Sequence, residues 1–407
     1  MSGPLSHIRV LDLSRVLAGP WAGQNMADLG AEVIKVERPK TGDDSRAYGP
    51  PWIKDAQGQD TTEGAYFMGA NRGKKSITVN LTHPDGQELV RKLAAQCDVL
   101  IENYKVGDLD RYGLGYQDLS AINPGLVYCS VTGFGQTGPN KDKPGYDFMA
   151  QGMAGLMSVT GNADTEPGGG PMRVGVPVID IFTGMYATIA INAALVQRDV
   201  TGKGQHVDVA LFDSCLALLA NQAMTYLATG ESPERIGNTH PSIVPYQVFK
   251  SADGALILAC GNDNLFAKFC AVAQREDLAM DERFCKNALR VQNRVVLVPI
   301  LEDIFKQRST EDWVADLEAA GVACGPINNV AQAFATPQVQ ARGMQINLPH
   351  PLAGTVPLMG SPMKFSGTPI EHHLPPPMLG QHADEVLERM LGLDAQAREQ
   401  LRASGAI

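Results

Sequence analysis

The sequence predicts an α/β fold: a large Rossmann-like domain with a parallel sheet, plus a smaller inserted α+β domain. Three features point there. Strand and helix patterns alternate from the start of the chain. The strand segments are apolar with little polar alternation, as in a parallel sheet covered on both faces. Composition and periodicity then change after Gly230, which marks a second unit. The 407 residues leave room for both. The large domain reads as 1–225 and 330–407, and the small one as 226–329.

Residues 8–13 alternate as a first strand. Gly19-Pro20 opens a helix running to Leu29, Gly30 stops it, and residues 31–37 form a second strand. The pattern continues with a helix at 83–96, a strand at 99–101, a turn or short helix at 109–114 and a strand at 126–132. Residues 208–230 read as one long helix ended by Gly230. In the small domain, two strands at 244–250 and 255–260 flank the turn Ser251-Ala-Asp-Gly254. Helices follow near 264–273, 290–306 and 310–320, with a last strand at 321–327. Residues 343–380 are proline-rich and include Pro375-Pro-Pro377. They read as an extended connection across a surface, because proline presets φ. A helix at 383–391 follows.

Composition narrows the function classes. Apolar residues make up 44%, glycines number 42 and aromatics are 6%, which suits a globular enzyme with many tight turns. A formal charge of −10 argues against a nucleic-acid partner, and an anionic ligand would need a local cluster of Lys and Arg. The first 15 residues lack the continuous apolar core of an export signal, and 179–195 reads as too short and interrupted for a membrane span. The expectation is a cytoplasmic protein with no membrane partner. Seven cysteines form no CxxC pair and read as reduced thiols. The eight histidines show no metal spacing, so no metal is expected.

Asp180 is the leading candidate for chemistry. It closes the run Arg173-Val-Gly-Val-Pro-Val-Ile-Asp180, and Gly184 and an apolar helix pattern follow. A carboxylate where strand gives way to helix can be held partly out of water yet remain reachable, which suits a covalent nucleophile. The same position also suits a helix cap. Gly133-Phe-Gly135-Gln-Thr-Gly138 matches the dinucleotide pattern GxGxxG, but Pro139 and Pro144 block the helix that should begin there. It reads as a tight loop whose glycines let backbone approach a ligand.

The chain resembles the family III CoA-transferases, the formyl-CoA and carnitine CoA-transferase type. The resemblance rests on ordered motifs along nearly the whole chain: Val10-Leu-Asp-Leu-Ser-Arg-Val-Leu-Ala-Gly-Pro20, Leu29-Gly-Ala-Glu-Val-Ile-Lys-Val-Glu-Arg38, Asn71-Arg-Gly-Lys-Lys-Ser76, Glu102-Asn-Tyr104, Gly145-Tyr-Asp147, the Asp180 segment and Leu379-Gly-Gln-His382. It implies Asp180 as nucleophile and an aspartyl-CoA thioester intermediate. It implies Arg15, Val16, Arg38, Lys74, Lys75, Asn103, Tyr104 and Arg111 as ligands of coenzyme A. Tyr146, His240, Gly135 and Gly237 would position the acyl group and the oxyanion, while Asp147 would anchor a loop. His240-Pro-Ser-Ile-Val-Pro-Tyr-Gln247 and Gly325-Pro-Ile-Asn328 carry a likeness to members that use succinyl-CoA and glutarate. Arg46, Arg72, Arg173 and His240 are the candidates for a remote carboxylate. Acyl-CoA and carboxylate are substrates, so no further cofactor is implied. The resemblance also implies an interlocked homodimer, with 343–380 as the crossing segment. An α-methylacyl-CoA racemase-like enzyme is the alternative on the same fold, but those enzymes carry a His where Tyr146 stands here, and Tyr is a poor base at neutral pH. A non-enzymatic CoA-binding protein would not need Asp180, and a nicotinamide-dependent dehydrogenase would rest only on the interrupted glycine motif.

Overall fold

The computed structural model describes residues 3–407. The chain divides into two compact units: the first comprises the chain up to Leu156, Val174–Met224 and Gln338–Ile407, and the second comprises Met157–Arg173 and Thr225–Pro337. The predicted small domain, 226–329, thus omits residues 157–173 and stops short of Pro337. Residues 157–173 have no strong helix or strand period. Their place in the second unit comes from long-range bonds, Gly237 N–H to Gly161 O (3.1 Å) and Arg235 to Asp164.

The first unit is built on six strands: β1 (Arg9–Asp12), β2 (Glu32–Glu37), β5 (Lys74–Thr78), β6 (Val99–Glu102), β7 (Val127–Thr132) and β8 (His206–Ala210). A short antiparallel pair, β3 (Trp52–Lys54) and β4 (Asp60–Gly64), lies between β2 and β5 in the chain. The large sheet has the order β5-β2-β1-β6-β7-β8, and all its pairings are parallel. This is the doubly wound arrangement, whose strand order reverses between β1 and β6. Before Thr225 the helices of this unit are α1 (Ala18–Asp28), α2 (Ala65–Met68), α3 (Pro84–Ala94), α4 (Tyr116–Ile122), α5 (Asp147–Met153), α6 (Val178–Thr201) and α7 (Leu211–Leu218), with α8 (Ala220–Thr229) running into the second unit. One face of the sheet packs Val10, Val33, Val99 and Val127 against α1, α6 and α7. The other packs Leu11, Ile34, Leu100 and Tyr128 against α3, α4 and the helix Ala383–Leu391.

Three expectations change. Residues 208–230 are not one helix: His206–Ala210 pairs with β7, and Ala220, at φ 43°, separates α7 from α8. Residues 343–380 are not wholly extended, because β12 (Gln345–His350) and β13 (Gly354–Met359) form an antiparallel hairpin. The remainder lies along its own unit, with Leu374 O accepting from Gly73 N–H (2.9 Å) and Pro377 O from Arg46 (2.9 Å). The segment read as too short for a membrane span belongs to the 24-residue α6, which is long and apolar enough by length and composition alone. Its Ile179, Ala187 and Ile191 are buried in the first core.

In the second unit, β9 (Tyr246–Lys250), β10 (Ala255–Ala259) and β11 (Ala323–Pro326) form an antiparallel sheet in the order β11-β10-β9. Its core gathers Phe249, Phe266, Phe269, Phe305 and Trp313, with the Phe249 and Phe305 rings stacked at 4.6 Å.

Beneath α1 lies a buried ionic cluster. Lys74 donates to Asp12 (2.9 Å), Asn71 Oδ1 (2.9 Å) and Pro20 O (2.8 Å), so its three N–H bonds are all used. Lys35 pairs with Asp43 at 2.8 Å, and all four side chains are essentially inaccessible. Burial opposes ionisation of Asp12, but Lys74 and Lys35 together hold its carboxyl below the usual range. Burial and the neighbouring Lys35 charge pull Lys74 down to about 8, which still leaves it charged at neutral pH. Removing one partner strands the other charge in the core. Lys74→Met is expected to destabilise by about 3–5 kcal/mol, and Asp12→Leu with Lys74→Met to recover much of that, as read by chemical denaturation.

Candidate active site

The strand order reverses at the carboxyl ends of β1 and β6, where doubly wound sheets open a crevice. The loops leaving those strands clasp one another there. Arg15 N–H donates to Asn103 Oδ1 (2.8 Å), and Asn103 Nδ2 donates back to Arg15 O (2.7 Å). Val16 follows at φ 70°, a strained value for a β-branched residue. Its N–H is held by Asp43 Oδ1 (3.0 Å), which also accepts from Ser45 N–H (2.9 Å). The Lys35–Asp43 pair thereby braces the strained turn that leads into α1.

A cleft of about 600 Å³ opens over this turn. Arg15, Val16, Arg38, Asn103, Tyr104, Tyr146 and Asp180 line it, as do Asp44, Tyr48, Lys105, Asp108, Lys141 and Lys143. The Arg15 guanidinium sits over the Tyr104 ring at 4.9 Å and donates to Asp44 Oδ2 at 3.1 Å. Arg38 donates to the other Asp44 oxygen. The N-terminal end of α1, from Leu17 to Ala18, also faces the cleft and has no side-chain cap, so backbone N–H groups and the helix dipole favour an anion there.

Asp180 lies in the first turn of α6, not after a strand. Gly175 and Pro177 interrupt the preceding run, and Pro177 forms the N-cap. The turn is held by a neighbouring helix instead of its own cap. Asp147 Oδ2 accepts from the N–H groups of Ile179 (2.7 Å) and Asp180 (3.2 Å), while its Oδ1 accepts from Gln151 (2.6 Å). Gln151 Oε1 in turn accepts from Val174 N–H (2.9 Å). Capping therefore falls to Asp147, which leaves the Asp180 side chain facing the cleft. Burial, reinforced by the Asp147 charge, pushes the Asp180 carboxyl up to about 7. Tyr66 is pushed up to about 12 by burial and by the nearby Asp180 charge, so its hydroxyl keeps its proton.

The decoy glycine motif has a local explanation. A β-carbon on Gly133 would stand 2.5 Å from Gly145 Cα, and one on Gly145 would stand 2.1 Å from Gly133 Cα. Only glycine permits this crossing of backbones, which closes the 134–144 loop and sets Tyr146 beside the cleft. No helix starts between Gly133 and Asp147.

Several expected site residues are elsewhere. Lys74 is a structural core cation. Lys75 pairs with Glu32 (3.2 Å) and Glu385 (2.5 Å), and Arg111 pairs with Asp108 while its own side chain does not line the cleft. Gly135 lies off the cleft with its N–H given to Thr132 Oγ1 (3.0 Å), so it is no free oxyanion donor. Arg46 is buried between Glu37 and Glu63, and Arg72 donates to Asp28 at 3.0 Å, so neither is available to a remote carboxylate. Gly237, His240 and Arg173 belong to the second unit. Lys141 and Lys143 line the cleft although no motif in the sequence marks them. Their spacing before Pro144 and Tyr146 was the available signal.

A half-buried carboxylate beneath a cationic cleft at a sheet switch point is an arrangement suited to acyl transfer on a phosphorylated carrier. The chain belongs to CoA-transferase family III, whose profile matches residues 5–383. It is 48% identical to succinate–glutarate CoA-transferase of Agrobacterium fabrum over 97% of both chains. It is 43% identical to human succinyl-CoA:glutarate CoA-transferase over 99% of this chain and 90% of that one. A crystal structure of a CAIB/BAIF family protein from Brucella suis superposes with a TM-score of 0.84 at 49% identity, covering 96% of this chain and all of that one.

The raised Asp180 carboxyl links stability to pH. Its folded value near 7 exceeds the ordinary value of 3.8, so the stability it contributes is present below about pH 4 and lost as pH rises through 7. Asp180→Asn does not titrate. It is expected to melt a few degrees above wild type at pH 8, corresponding to about 1–3 kcal/mol, with the gap closing by pH 4. Burial also raises Glu102 to about 7, so the difference between the two proteins, not the wild-type curve alone, reports Asp180.

Proposed function

We propose that this protein transfers coenzyme A from succinyl-CoA to glutarate or a similar dicarboxylate, through a thioester on Asp180. The observation that carries the reading is the half-buried Asp180 carboxylate, desolvated yet open to a cleft lined by Arg15, Arg38, Lys105, Lys141 and Lys143. Desolvation raises carboxylate nucleophilicity, and the cations suit a phosphorylated carrier. The names of the relatives support the donor and acceptor.

The steps conserve every atom without water. The Asp180 carboxylate attacks the thioester carbonyl, the C–S bond breaks, and CoA thiolate leaves a mixed anhydride. The thiolate then attacks the aspartyl carbonyl and releases the first acid as its carboxylate. The acceptor carboxylate attacks the aspartyl-CoA thioester and expels the thiolate. The thiolate takes the new acyl group from the second anhydride, which restores Asp180. Arg15 and Arg38 hold phosphate, Asn103 keeps the Arg15 loop in place, and Tyr146 stands at the acyl end of the cleft. Remote binding energy from the coenzyme positions the thioester.

A matrix of acyl-CoA donors against acids tests the substrate class. Exchange is expected with succinyl-CoA and C5 dicarboxylates, and exchange confined to formate or carnitine would remove the assignment. Asp180→Asn is expected to lower kcat at least about 1,000-fold while CoA affinity changes little. In wild type, peptide mass analysis after incubation with acyl-CoA is expected to find the adduct on Asp180. Because the reactive form is ionised, kcat/KM is expected to rise with pH through about 7 and then level off.

The same reading extends to assembly, with an interlocked homodimer as the working form. In the first unit Met149, Met153, Met185, Tyr186, Ile189 and Leu216 present exposed apolar side chains from α5, α6 and α7. A symmetric partner would cover such a face. Light scattering is expected to give about twice the 43.6 kDa chain mass without a monomer at low concentration, and a folded, active monomer would refute this assembly.

A further inference from the structure

Two consecutive aspartates at the cleft have opposite surroundings. Asp43 is turned inward, paired with Lys35 and bonded to Val16 and Ser45. Asp44 is turned outward, and its side chain is 38% exposed. Its two oxygens each take a different arginine: Oδ2 holds Arg15 at 3.1 Å, and Oδ1 holds Arg38. A single carboxylate thus bridges the two arginines that line the cleft, in the manner expected of a phosphate group. Arg15 is not saturated by this contact, since its Nε–H is buried without an acceptor. The other cleft acids are differently placed. Asp108 has Arg111 as its partner, and Asp180 sits at the foot of α6.

We propose that Asp44 is an internal counter-anion, occupying the Arg15–Arg38 pair in the free enzyme and yielding it to a phosphate of the incoming ligand. This rests on the reading that the cleft takes coenzyme A. Exposed ion pairs contribute little, so the exchange is easy, and a phosphate carries more charge and more acceptor oxygens than a carboxylate. Before binding, Asp44 keeps two like-charged guanidiniums together. After binding, its negative charge stays near the phosphate and weakens the complex. Asp44 therefore sets a ceiling on affinity and speeds release of the acyl-CoA product, which the transferase must discharge in every cycle.

The test is calorimetric titration of wild type and Asp44→Asn with CoA, adenosine 3′,5′-bisphosphate and pantetheine. Asp44→Asn is expected to tighten at least one phosphorylated ligand by about 5- to 20-fold at low salt, with the gain shrinking at high salt, and to leave pantetheine unchanged. Steady-state kinetics should then show kcat/KM for acyl-CoA rising while kcat falls. Asp44→Ala should shift affinity in the same direction, which separates the charge effect from any requirement for the amide. Unchanged or weaker binding of both phosphorylated ligands in both variants would overturn the proposal. Arg38→Ala distinguishes the two levels of the argument. If it leaves CoA affinity intact, the site reading itself fails. If it weakens CoA and the Asp44 variants tighten neither phosphorylated ligand, only the role of Asp44 fails.

Discussion

The Lys35–Asp43 ion pair is the interaction on which the site depends. It joins the second strand of the sheet to the loop after it, in a place with no access to water. The Asp43 oxygen not facing Lys35 accepts the Val16 N–H, which holds a β-branched residue at positive φ. That turn aims the start of α1 at the cleft and fixes Arg15 against Asn103. The Lys74–Asp12 pair supports the same helix from beneath. Charges in a core seldom improve stability over well-packed apolar residues. Their value here lies in direction, because the Asp43 carboxylate ties Lys35, Val16 and Ser45 together and so fixes one arrangement of the turn.

The electrostatics of Asp180 follow from a division of labour between two acids. Helix starts ordinarily favour negative charge and would lower a carboxyl in the first turn. Asp147 has taken the favourable position by accepting the backbone N–H groups. Asp180 is left with the burial and with the repulsion from Asp147, and these prevail. A carboxylate that is poorly solvated and poorly paired has more to gain from forming a bond to carbon. The cost appears as a site that is less stable when ionised, the trade seen where function stores strain.

Much of the first unit was legible because apolar parallel strands and their helices have strong periods. β1, α1, β2, β6 and β7 are examples. β5 was hidden because Lys74-Lys75 looks like surface, and only tertiary partners neutralise it. β8 was hidden because His206-Val-Asp-Val-Ala210 runs directly into an apolar helix. Of the residues singled out in the sequence, Asp180, Arg15, Arg38, Asn103, Tyr104 and Tyr146 do line one cleft. Sequence could not tell a ligand cation from a core cation, since Lys74 and Arg46 have the same chemistry as Arg38 until their partners are known. The resemblance named motifs, but burial decided which members of each motif face the cleft. Asp44 went unnoticed because its importance lies in bridging two arginines that are distant from one another in sequence.

The path of residues 374–406 has a bearing on how the protein is made. Leu374, Pro377 and Gly380 bond to Gly73, Arg46 and Ser76, and Ala406 accepts from Asn80 at the outer strand of the sheet. These partners leave a ribosome about 300 residues before the segment that completes them. The sheet edge and the Arg46 shell therefore wait for residues 374–406. The intervening second unit has all of its residues by Pro337 and can fold in the meantime. A nascent chain halted before residue 374 would hold one unit complete and the other, with Asp180, still lacking the partners of its sheet edge.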